Sequence, residues 1–377
     1  MKVLQHIFRI LTGLVFMFSG FVKGVDPLGT AYKIEDYFYA YHTEWAIPLA
    51  LTLSIILCAF EFTLGVMLIL NLFQKLSSWL VLIMMSFFTV ITFFDAINNP
   101  VPDCGCFGDA IKLTNWETFY KNIVLMVLVL VLFIRRNKKM PSFCCKTQGI
   151  TVSAVMLFFV LFSVYNYRNL PMIDFLPWKV GNRMMPEKME PVQNYVTYKN
   201  KTTGEKKEYL SSKIPWQDSV WMVNWEFLET RQVNPNKVLA EGFGIIDQTG
   251  MDVTNQMVNS EDYIWFVAMY SIEEAPVKAQ LKTAEFINKT LGSGIKLVIL
   301  TSSSPQVIAQ KQKDLVFENG EFCFVDDISL KMMVRSNPGF VLLKNATVLG
   351  KWHWRNVPDP TSIDYNALSK KYITTPK

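Results

Sequence analysis

The stretch LSSWLVLIMMSFFTVITFFDAI, residues 76–97, decides the class of this protein. Its only ionisable side chain is Asp95, and its length matches the roughly 20 apolar residues that cross a bilayer as a helix. Stretches of similar length and character occupy residues 4–22, 46–70, 116–134 and 149–167. The sequence therefore predicts five transmembrane helices, here called spans one to five in chain order.

The rest of the chain has a different composition. With 51% hydrophobic residues and a mean hydropathy of +0.21, the 377 residues are too apolar for one soluble globule. After residue 170 the sequence turns polar, with ordinary turn residues. We predict a multi-domain fold with an all-α transmembrane bundle at residues 1–140. A basic cytoplasmic loop and a fifth helix follow at 141–170, and an extracytoplasmic α/β domain with N-terminal hairpins at 171–377.

The net charge of +5 is concentrated in one short loop, which makes it a topology signal and no argument for nucleic-acid binding. Arg135, Arg136, Lys138 and Lys139 lie between spans four and five. Basic loops stay in the cytoplasm, so the N-terminus is predicted there too and the C-terminal domain outside after five crossings. The predicted location is the cell inner membrane, multi-pass, with the lipid bilayer as a partner and the C-terminal domain periplasmic.

That topology places the segment PDCGCFGD, residues 102–109, at the extracytoplasmic surface. Of six cysteines, Cys104 and Cys106 form the one closely spaced pair in an oxidising compartment. A Cys104–Cys106 disulfide would close a small, strained ring, which favours exchange. From spacing alone three interpretations stay open: a redox-active dithiol, a structural staple, and a metal site with the flanking aspartates. We predict no metal.

Two charged residues inside the predicted spans form a candidate polar site. Glu61 in span two is costly in lipid unless it is paired. Arg9 lies in span one on a stripe that also carries Gly13, Gly20 and Lys23 at helical spacing. Arg9 is the strongly basic candidate partner for Glu61 inside a span, on the condition that the two do not differ in depth by more than a helical turn, and the small residues allow close helix packing.

These residues together resemble the DoxX/MauE group of four-helix membrane proteins over residues 1–136. The shared features are the FSGFVK ending of span one, the following Asp26-Pro27, Glu61, and the CGCFG element at 104–108. The likeness is strongest to the MauE branch, which is associated with maturation of methylamine dehydrogenase through disulfide chemistry with a thioredoxin-like partner. The resemblance implies a redox-linked bundle, similar to vitamin K epoxide reductase or DsbB.

The polar half alternates strands and helices. Residues 195–198 and 207–210 predict one hairpin, and residues 244–254 predict a second. Strands and helices then follow in an order typical of an α/β sheet, ending in an antiparallel hairpin and a last helix. The predicted elements are strand 263–269, helix 274–291, strand 295–300, helix 305–315, strand 321–325, helix 328–334, strands 340–343 and 348–352, and helix 361–371.

This order resembles the thioredoxin fold in its TlpA or alkyl-hydroperoxide-reductase form, with Pro338 where that fold keeps a cis-proline. One departure matters for function. Where thioredoxin-like proteins place Cys-x-x-Cys, this chain has Ser271-Ile-Glu-Glu274. The nucleophilic thiolate and its resolving partner are both missing there. Cys323 is predicted to be a buried core thiol, and the domain a docking or specificity element.

Two functions remain open on the sequence. In the first, Cys104 and Cys106 exchange with an extracytoplasmic thiol or client protein, as part of a thiol–disulfide oxidoreductase or protein-maturation component. The bundle would pass electrons to a quinone or to a partner; no cofactor is identified with certainty. In the second, the chain is a non-catalytic membrane assembly or binding protein, and the Cys-Gly-Cys loop is a staple.

Overall fold

The computed structural model of the chain describes residues 2–101, 104–137, 143–186, 191–233, 242–313 and 320–373. Asp103, Lys138 and Lys139 lie outside these ranges. The chain divides into two compact units. The first comprises Met1–Leu176 with the later segments Met333–Gly339 and Trp352–Val357, and the second comprises Pro177–Met332, Phe340–Lys351 and Pro358–Lys377.

Helices build the first unit. Its elements are α1 (Lys2–Val25), α2 (Pro27–Ala40), a 3-10 helix (Glu44–Leu49), α3 (Ala50–Ile69), α4 (Gln74–Asn98), α5 (Asn115–Ile134) and α6 (Cys145–Arg168). Among the described residues, five helical stretches are long and apolar enough to cross a membrane. The prediction of five spans is confirmed, and the chain is a multi-pass membrane protein.

Helices α1 and α3 pack against each other with their backbones in contact. A Cβ atom built on Gly65 would stand 2.6 Å from the backbone N of Met17, and one on Gly20 would stand 2.5 Å from the backbone N of Phe62. Any side chain there would force the helices apart. The small-residue stripe predicted on α1 is therefore a packing surface, and it fixes the register in which the polar groups of α1 and α3 face each other.

Two sheets organise the second unit. The three-stranded sheet has the order β2-β1-β3 and the five-stranded sheet the order β6-β5-β4-β7-β8. The strands are β1 (Gln193–Asn200), β2 (Lys206–Leu210), β3 (Trp225–Val233), β4 (Ile264–Met269), β5 (Lys296–Thr301), β6 (Glu321–Phe324), β7 (Gly339–Lys344) and β8 (Thr347–His353). The helices are α7 (Ser219–Asn224), α8 (Thr254–Val258), α9 (Val277–Gly292), α10 (Pro305–Lys313), α11 (Asp327–Met333) and α12 (Tyr365–Tyr372).

The five-stranded sheet has the predicted thioredoxin-like order. β4, β5 and β6 run parallel, with α9 between the first two and α10 between the second two. All six residues of β4 are buried, as a central strand covered on both faces requires. The peptide bond Asn337-Pro338 is cis. The predicted fold class, a transmembrane bundle followed by an α/β thioredoxin-like region, is confirmed.

The polar half differs from expectation at two points. The hairpin predicted at residues 244–254 is reduced to a single antiparallel bridge between Ile246 and Asp252, with the Val253 N–H donating to the Ile245 carbonyl at 2.9 Å. The Asp247 carboxylate closes its turn by accepting the N–H groups of Thr249 and Met251. The strand β3 was not predicted. It pairs with β1 along its length, but almost all its residues are exposed, so the sequence carries no apolar alternation to reveal it.

Candidate dithiol site

The Cys-Gly-Cys element lies in the connection between α4 and α5. Gly105 and Gly108 have positive φ values of 62° and 52°, and the Gly108 N–H donates to the Gly105 carbonyl at 2.9 Å. This turn needs glycine at Gly105, because a side chain at that φ is strained. A capping box at Thr114 then starts α5, as predicted. The turn therefore presents Cys104 and Cys106 side by side.

Helix α1 holds this loop. The rings of Phe18 and Phe107 lie 5.5 Å apart. At the next residue of α1, the Ser19 hydroxyl stands 2.8 Å from the Cys106 carbonyl oxygen and 2.8 Å from Glu61 Oε2. A hydroxyl has one proton, so Ser19 can donate to one of these acceptors at a time. Ser19 thus lies between the backbone of the Cys-Gly-Cys loop and the buried carboxylate of Glu61 on α3.

The two thiols are in contact. The Cys104 S–H donates to Cys106 Sγ at 2.9 Å. This hydrogen bond, helped by the positive charges of Lys121 and Lys23 and opposed by burial, lowers the pKa of Cys106 to about 6. The same hydrogen bond, together with burial, raises the pKa of Cys104. Cys106 is therefore the thiolate of the pair and Cys104 the thiol, an asymmetry typical of an exchange dithiol.

Below Cys106 lies a buried ion pair. The Lys23 ammonium donates to both carboxylate oxygens of Glu61, at 2.7 and 2.8 Å. The two side chains are only 7% and 1% exposed, so the pair is closed to solvent. The expected pairing of Glu61 with Arg9 is therefore wrong. The Phe88 ring lies 5.6 Å from the Lys23 ammonium and completes its surroundings.

Arg9 lies in the N-terminal half of α1, away from the ion pair of Lys23 with Glu61. It lines a cavity of about 10 Å³ with polar residues at the opposite end of the same helix. Arg9 and Lys23 are separated by fourteen positions, or about 21 Å along a helix. The other lining residues are Gln5, Leu68, Asn71, Gln74, Ser77, Ser78 and Leu132. The structure thus separates the two residues that the sequence grouped into one polar site.

A cavity of about 30 Å³ adjoins Cys106. It has room for one or two water molecules, and its polar lining would give such water several partners. Small-molecule sites are typically about ten times larger or more, so the described residues do not provide a quinone pocket here. The lining residues are Val15, Phe16, Ser19, Lys23, Glu61, Met85, Phe88, Cys106, Phe107, Lys121, Asn122 and Leu125.

Two further buried polar contacts of the first unit were not predicted. The Tyr37 hydroxyl donates to Asp95 Oδ2 at 2.6 Å, and burial together with this hydrogen bond raises the pKa of Tyr37. Arg335 contacts both Asp26, at 2.8 Å, and Asp109, at 2.6 Å. Asp26 and Asp109 were visible in the sequence as polar residues near the membrane, but nothing there signalled a distant arginine.

The second unit offers no comparable thiol pair among its described residues. Ser271, Ile272, Glu273 and Glu274 follow β4 directly, in the place of the Cys-x-x-Cys motif, and the Glu274 N–H donates to the Ser271 hydroxyl at 3.2 Å. Cys323 lies in β6 and is 1% exposed, as predicted for a core thiol. Burial raises the pKa of Cys323 to about 11, which keeps it protonated and unreactive.

Residues 1–135 match the family described as methylamine utilisation protein MauE. The chain also resembles Protein TlpB of Flavobacterium psychrophilum, at 26% identity over 166 residues. That alignment covers 42% of this chain and 44% of the relative, so it spans less than half of the relative's length. No solved structure matches the chain. The predicted combination of a MauE-like bundle and a thioredoxin-like region is confirmed.

Proposed function

We propose that this chain is a membrane thiol–disulfide exchange protein that serves the maturation of extracytoplasmic client proteins. The observation that carries the proposal is the contact between Cys104 and Cys106, in which one thiol donates to the other beside two lysines. A purely structural disulfide between Cys104 and Cys106 would not need either cysteine to be stabilised as a thiolate. A dithiol with one thiolate at physiological pH is what exchange chemistry uses.

The asymmetry of the pair assigns a role to each sulfur. When Cys104 and Cys106 are joined, a client thiolate attacks Cys104 Sγ, because the sulfur of lower pKa leaves more readily. The Cys104–Cys106 bond breaks, a Cys104–client mixed disulfide forms, and Cys106 departs as a thiolate held near Lys121 and Lys23. A second client thiolate then attacks the client sulfur of that bond. Cys104 leaves and takes up a proton, the client gains a disulfide, and the chain's dithiol carries the two electrons.

Reoxidation uses the same two sulfurs with their roles exchanged. The Cys106 thiolate attacks the disulfide of an acceptor protein and expels one acceptor thiolate. Cys104 then loses its proton to solvent and its thiolate attacks Cys106 Sγ. This expels the second acceptor thiolate and restores the Cys104–Cys106 bond. We propose a protein disulfide as the electron acceptor, since the cavity beside Cys106 holds about 30 Å³ and no step through a quinone follows from it.

The proposal includes a location. We place the chain in the inner membrane, with Arg135 and Arg136 on the cytoplasmic side, by the positive-inside rule. Five crossings then put the Cys104–Cys106 loop and residues 171–377 on the periplasmic side, with residues 141–170 forming the basic loop and the last helix. A reporter fused to the C-terminus that is active only in the cytoplasm would overturn this orientation.

One observation favours a second candidate, a non-catalytic assembly or binding protein. The thioredoxin-like region has Ser271 and Glu274 where exchange would need two cysteines. A region that keeps a fold but lacks its thiols is suited to binding. In this alternative the Cys104–Cys106 pair is a staple that stays oxidised, and the whole chain recruits a partner without electron transfer.

Thiol trapping in membranes separates the two candidates. Cells carrying the Cys106→Ser variant are quenched with acid and alkylated, and mixed disulfides are separated on non-reducing gels. Exchange predicts client mixed disulfides through Cys104 in Cys106→Ser, formed when the Cys104 thiolate attacks an oxidised client. It also predicts acceptor mixed disulfides through Cys106 in Cys104→Ser, because Cys104 is then missing as the thiolate that releases the acceptor. A native Cys104–Cys106 bond that resists mild reductant, with no mixed disulfides in either variant, would show the staple instead.

A further inference from the structure

Among the described residues, Arg335 is the one most distant in sequence that makes a polar contact with the Cys-Gly-Cys loop, at Asp109. It belongs to the segment Met333–Gly339 of the first unit and is 5% exposed. Its Nε donates to Asp26 Oδ2 at 2.8 Å, and its Nη2 donates to Asp109 Oδ2 at 2.6 Å. The Tyr32 ring lies 5.4 Å from the guanidinium carbon. One buried cation therefore holds two carboxylates.

The two carboxylates hold different parts of the first unit. Asp26 precedes α2 and caps it, since its Oδ1 accepts the Gly29 N–H at 2.9 Å. Asp109 follows the turn that carries the two cysteines. Arg335 thus ties the end of the redox loop to the start of α2. A planar guanidinium can serve two carboxylates at once in fixed directions, which a lysine ammonium does not reproduce.

The loop consequently has two anchors. Ser19 holds the Cys106 carbonyl from α1, and Arg335 holds Asp109 three positions later. Without the guanidinium, Asp26 and Asp109 would be two carboxylates of like charge in a buried place. Such carboxylates separate or recruit water, because an uncompensated buried charge is costly. Movement of Asp109 would move the turn that brings the thiols into contact.

We infer that Arg335 is a positioning residue for the Cys104–Cys106 dithiol, acting through Asp109 from a point 226 residues further along the chain. The inference rests on the proposed function and gives the segment Met333–Gly339 a part in it. This segment contributes no thiol. It contributes the geometry in which Cys104 donates to Cys106.

The test compares thiol reactivity in the full chain purified in detergent. The rate of alkylation of the peptide that carries both cysteines is followed by mass spectrometry, and its disulfide is equilibrated with glutathione. Arg335→Met is expected to change the alkylation rate and the glutathione equilibrium constant at least tenfold each. The control is Arg231→Met, which removes the exposed ion pair between Arg231 of β3 and Glu208 of β2. This substitution is expected to leave the alkylation rate and the equilibrium constant unchanged.

A double-mutant cycle shows whether Arg335 acts through Asp109. Asp109→Asn alone should shift reactivity in the same direction, and adding Arg335→Met should change it by less than twofold more. If the effects of the two substitutions simply multiply, Arg335 does not act through Asp109. If Arg335→Met is folded and reacts as the parent does, the positioning role is wrong.

A steric variant covers the case in which Arg335→Met does not fold. A Cβ on Gly29 would stand 2.8 Å from Arg335 Nη2 and 2.5 Å from Asp26 Oδ2, so Gly29→Ala displaces the bridge and keeps every charge. It should shift reactivity in the same direction; unchanged reactivity would overturn the inference. Failure of the proposed function looks different: Cys106→Ser would then trap no client, whatever the reactivity of Arg335→Met.

Discussion

The chain has two places where a thiol pair could act, and they differ in both residues and electrostatics. In the first unit, Cys104 and Cys106 share a hydrogen bond at 2.9 Å beside Lys23 and Lys121. In the second unit, the turn after β4 carries Ser271 and Glu274 and has an acidic neighbour, Glu273. The first environment stabilises a thiolate, whereas the second would oppose one.

Among the described residues, this difference leaves Cys104 and Cys106 as the candidate pair for thiol exchange. The core of the thioredoxin-like sheet includes buried strands such as β4 and also Ile272 of the turn that follows, whereas Ser271 and Glu274 of that turn are not buried. The core therefore does not require cysteines at positions 271 and 274. The loop of Cys104 and Cys106 is held against α1, because the Ser19 hydroxyl lies 2.8 Å from the Cys106 carbonyl oxygen and the rings of Phe18 and Phe107 lie 5.5 Å apart.

Introducing two cysteines into the turn after β4 would test the comparison between the two units most strongly. The background chain carries Cys104→Ser and Cys106→Ser, so the first unit has no thiol pair. In that background we expect Ser271→Cys together with Glu274→Cys to form a disulfide that equilibrates fully with glutathione, whereas the unsubstituted turn shows no exchange. The Glu274 N–H donates to the Ser271 hydroxyl at 3.2 Å, so the turn already brings position 274 next to the side chain of position 271. The measurement is the fraction of disulfide in glutathione buffers.

Ser271→Cys alone is the control, since it can form only a mixed disulfide with glutathione. If the double substitution never closes a disulfide, the second turn differs from a redox turn in its backbone and not merely in its side chains, because two Cα atoms more than 7 Å apart cannot be bridged.

The next largest effect is on the free energy of unfolding and concerns the buried ion pair between Lys23 and Glu61, next to Cys106. Lys23→Met should lower the free energy of unfolding by about 3–5 kcal/mol, because it leaves the Glu61 carboxylate buried and without its cation. Lys23→Met combined with Glu61→Leu should recover most of that loss, since an apolar pair needs no desolvation. Thermal unfolding in detergent measures both.

The second unit supplies the matched comparison for that prediction. Lys289 pairs with Asp359 at 2.7 Å, but its side chain is 41% exposed. Lys289→Met should leave the unfolding temperature unchanged, because exposed pairs contribute little. Equal destabilisation by Lys23→Met and Lys289→Met would mean that burial is not what distinguishes the two ion pairs.

Much of the fold could be predicted from the residues, since each element rests on local patterns. The five spans follow from apolar length, the start of α5 from the capping box at Thr114, and the close contact of α1 with α3 from glycines such as Gly65. The strand β3 could not be predicted, because its exposed residues carry no alternation.

The partners inside the site were harder to predict, because they depend on helix register and on distant contacts. Glu61 faces Lys23 only because α1 and α3 meet at their glycines in one register, and Arg9 then falls about 21 Å away. Arg335 meets Asp109 across 226 positions. Single-sequence patterns carry no information on such pairings, whereas the choice of Cys104 and Cys106 as candidates needed only their spacing and their predicted compartment.

The pH dependence of thiol reactivity distinguishes the two units with a tenfold effect. Because the pKa of Cys106 is lowered to about 6, it is mainly thiolate above that pH, and its alkylation rate should be level there. Below about pH 6 the thiol is protonated, so the rate should fall about tenfold for each pH unit. Cys323, whose pKa is raised to about 11, should stay unreactive up to pH 9.

Peptide-resolved alkylation between pH 4.5 and 9 gives both profiles in one experiment. A rate for Cys106 that keeps rising to pH 9 would mean an ordinary thiol, and the electrostatic contrast between the two units would be lost. The Cys104→Ala variant adds a check, because it removes the donor of the hydrogen bond that is the largest cause of the lowered pKa and should move the Cys106 profile to higher pH.

The smallest predicted effect isolates the contribution of one lysine. Lys121 lies on α5 with its ammonium 4.4 Å from the centre of the Phe107 ring, so it is held over the loop. Lys121→Met should raise the pKa of Cys106 by up to about one unit, which lowers alkylation about threefold to tenfold at pH 5. At pH 8 the thiolate dominates in both chains, so the rates should nearly coincide. Lys112→Met, an exposed lysine of the same connection, should change neither rate. A loss that is equal at pH 5 and pH 8 would point to a displaced loop and would leave the lysine without an electrostatic role.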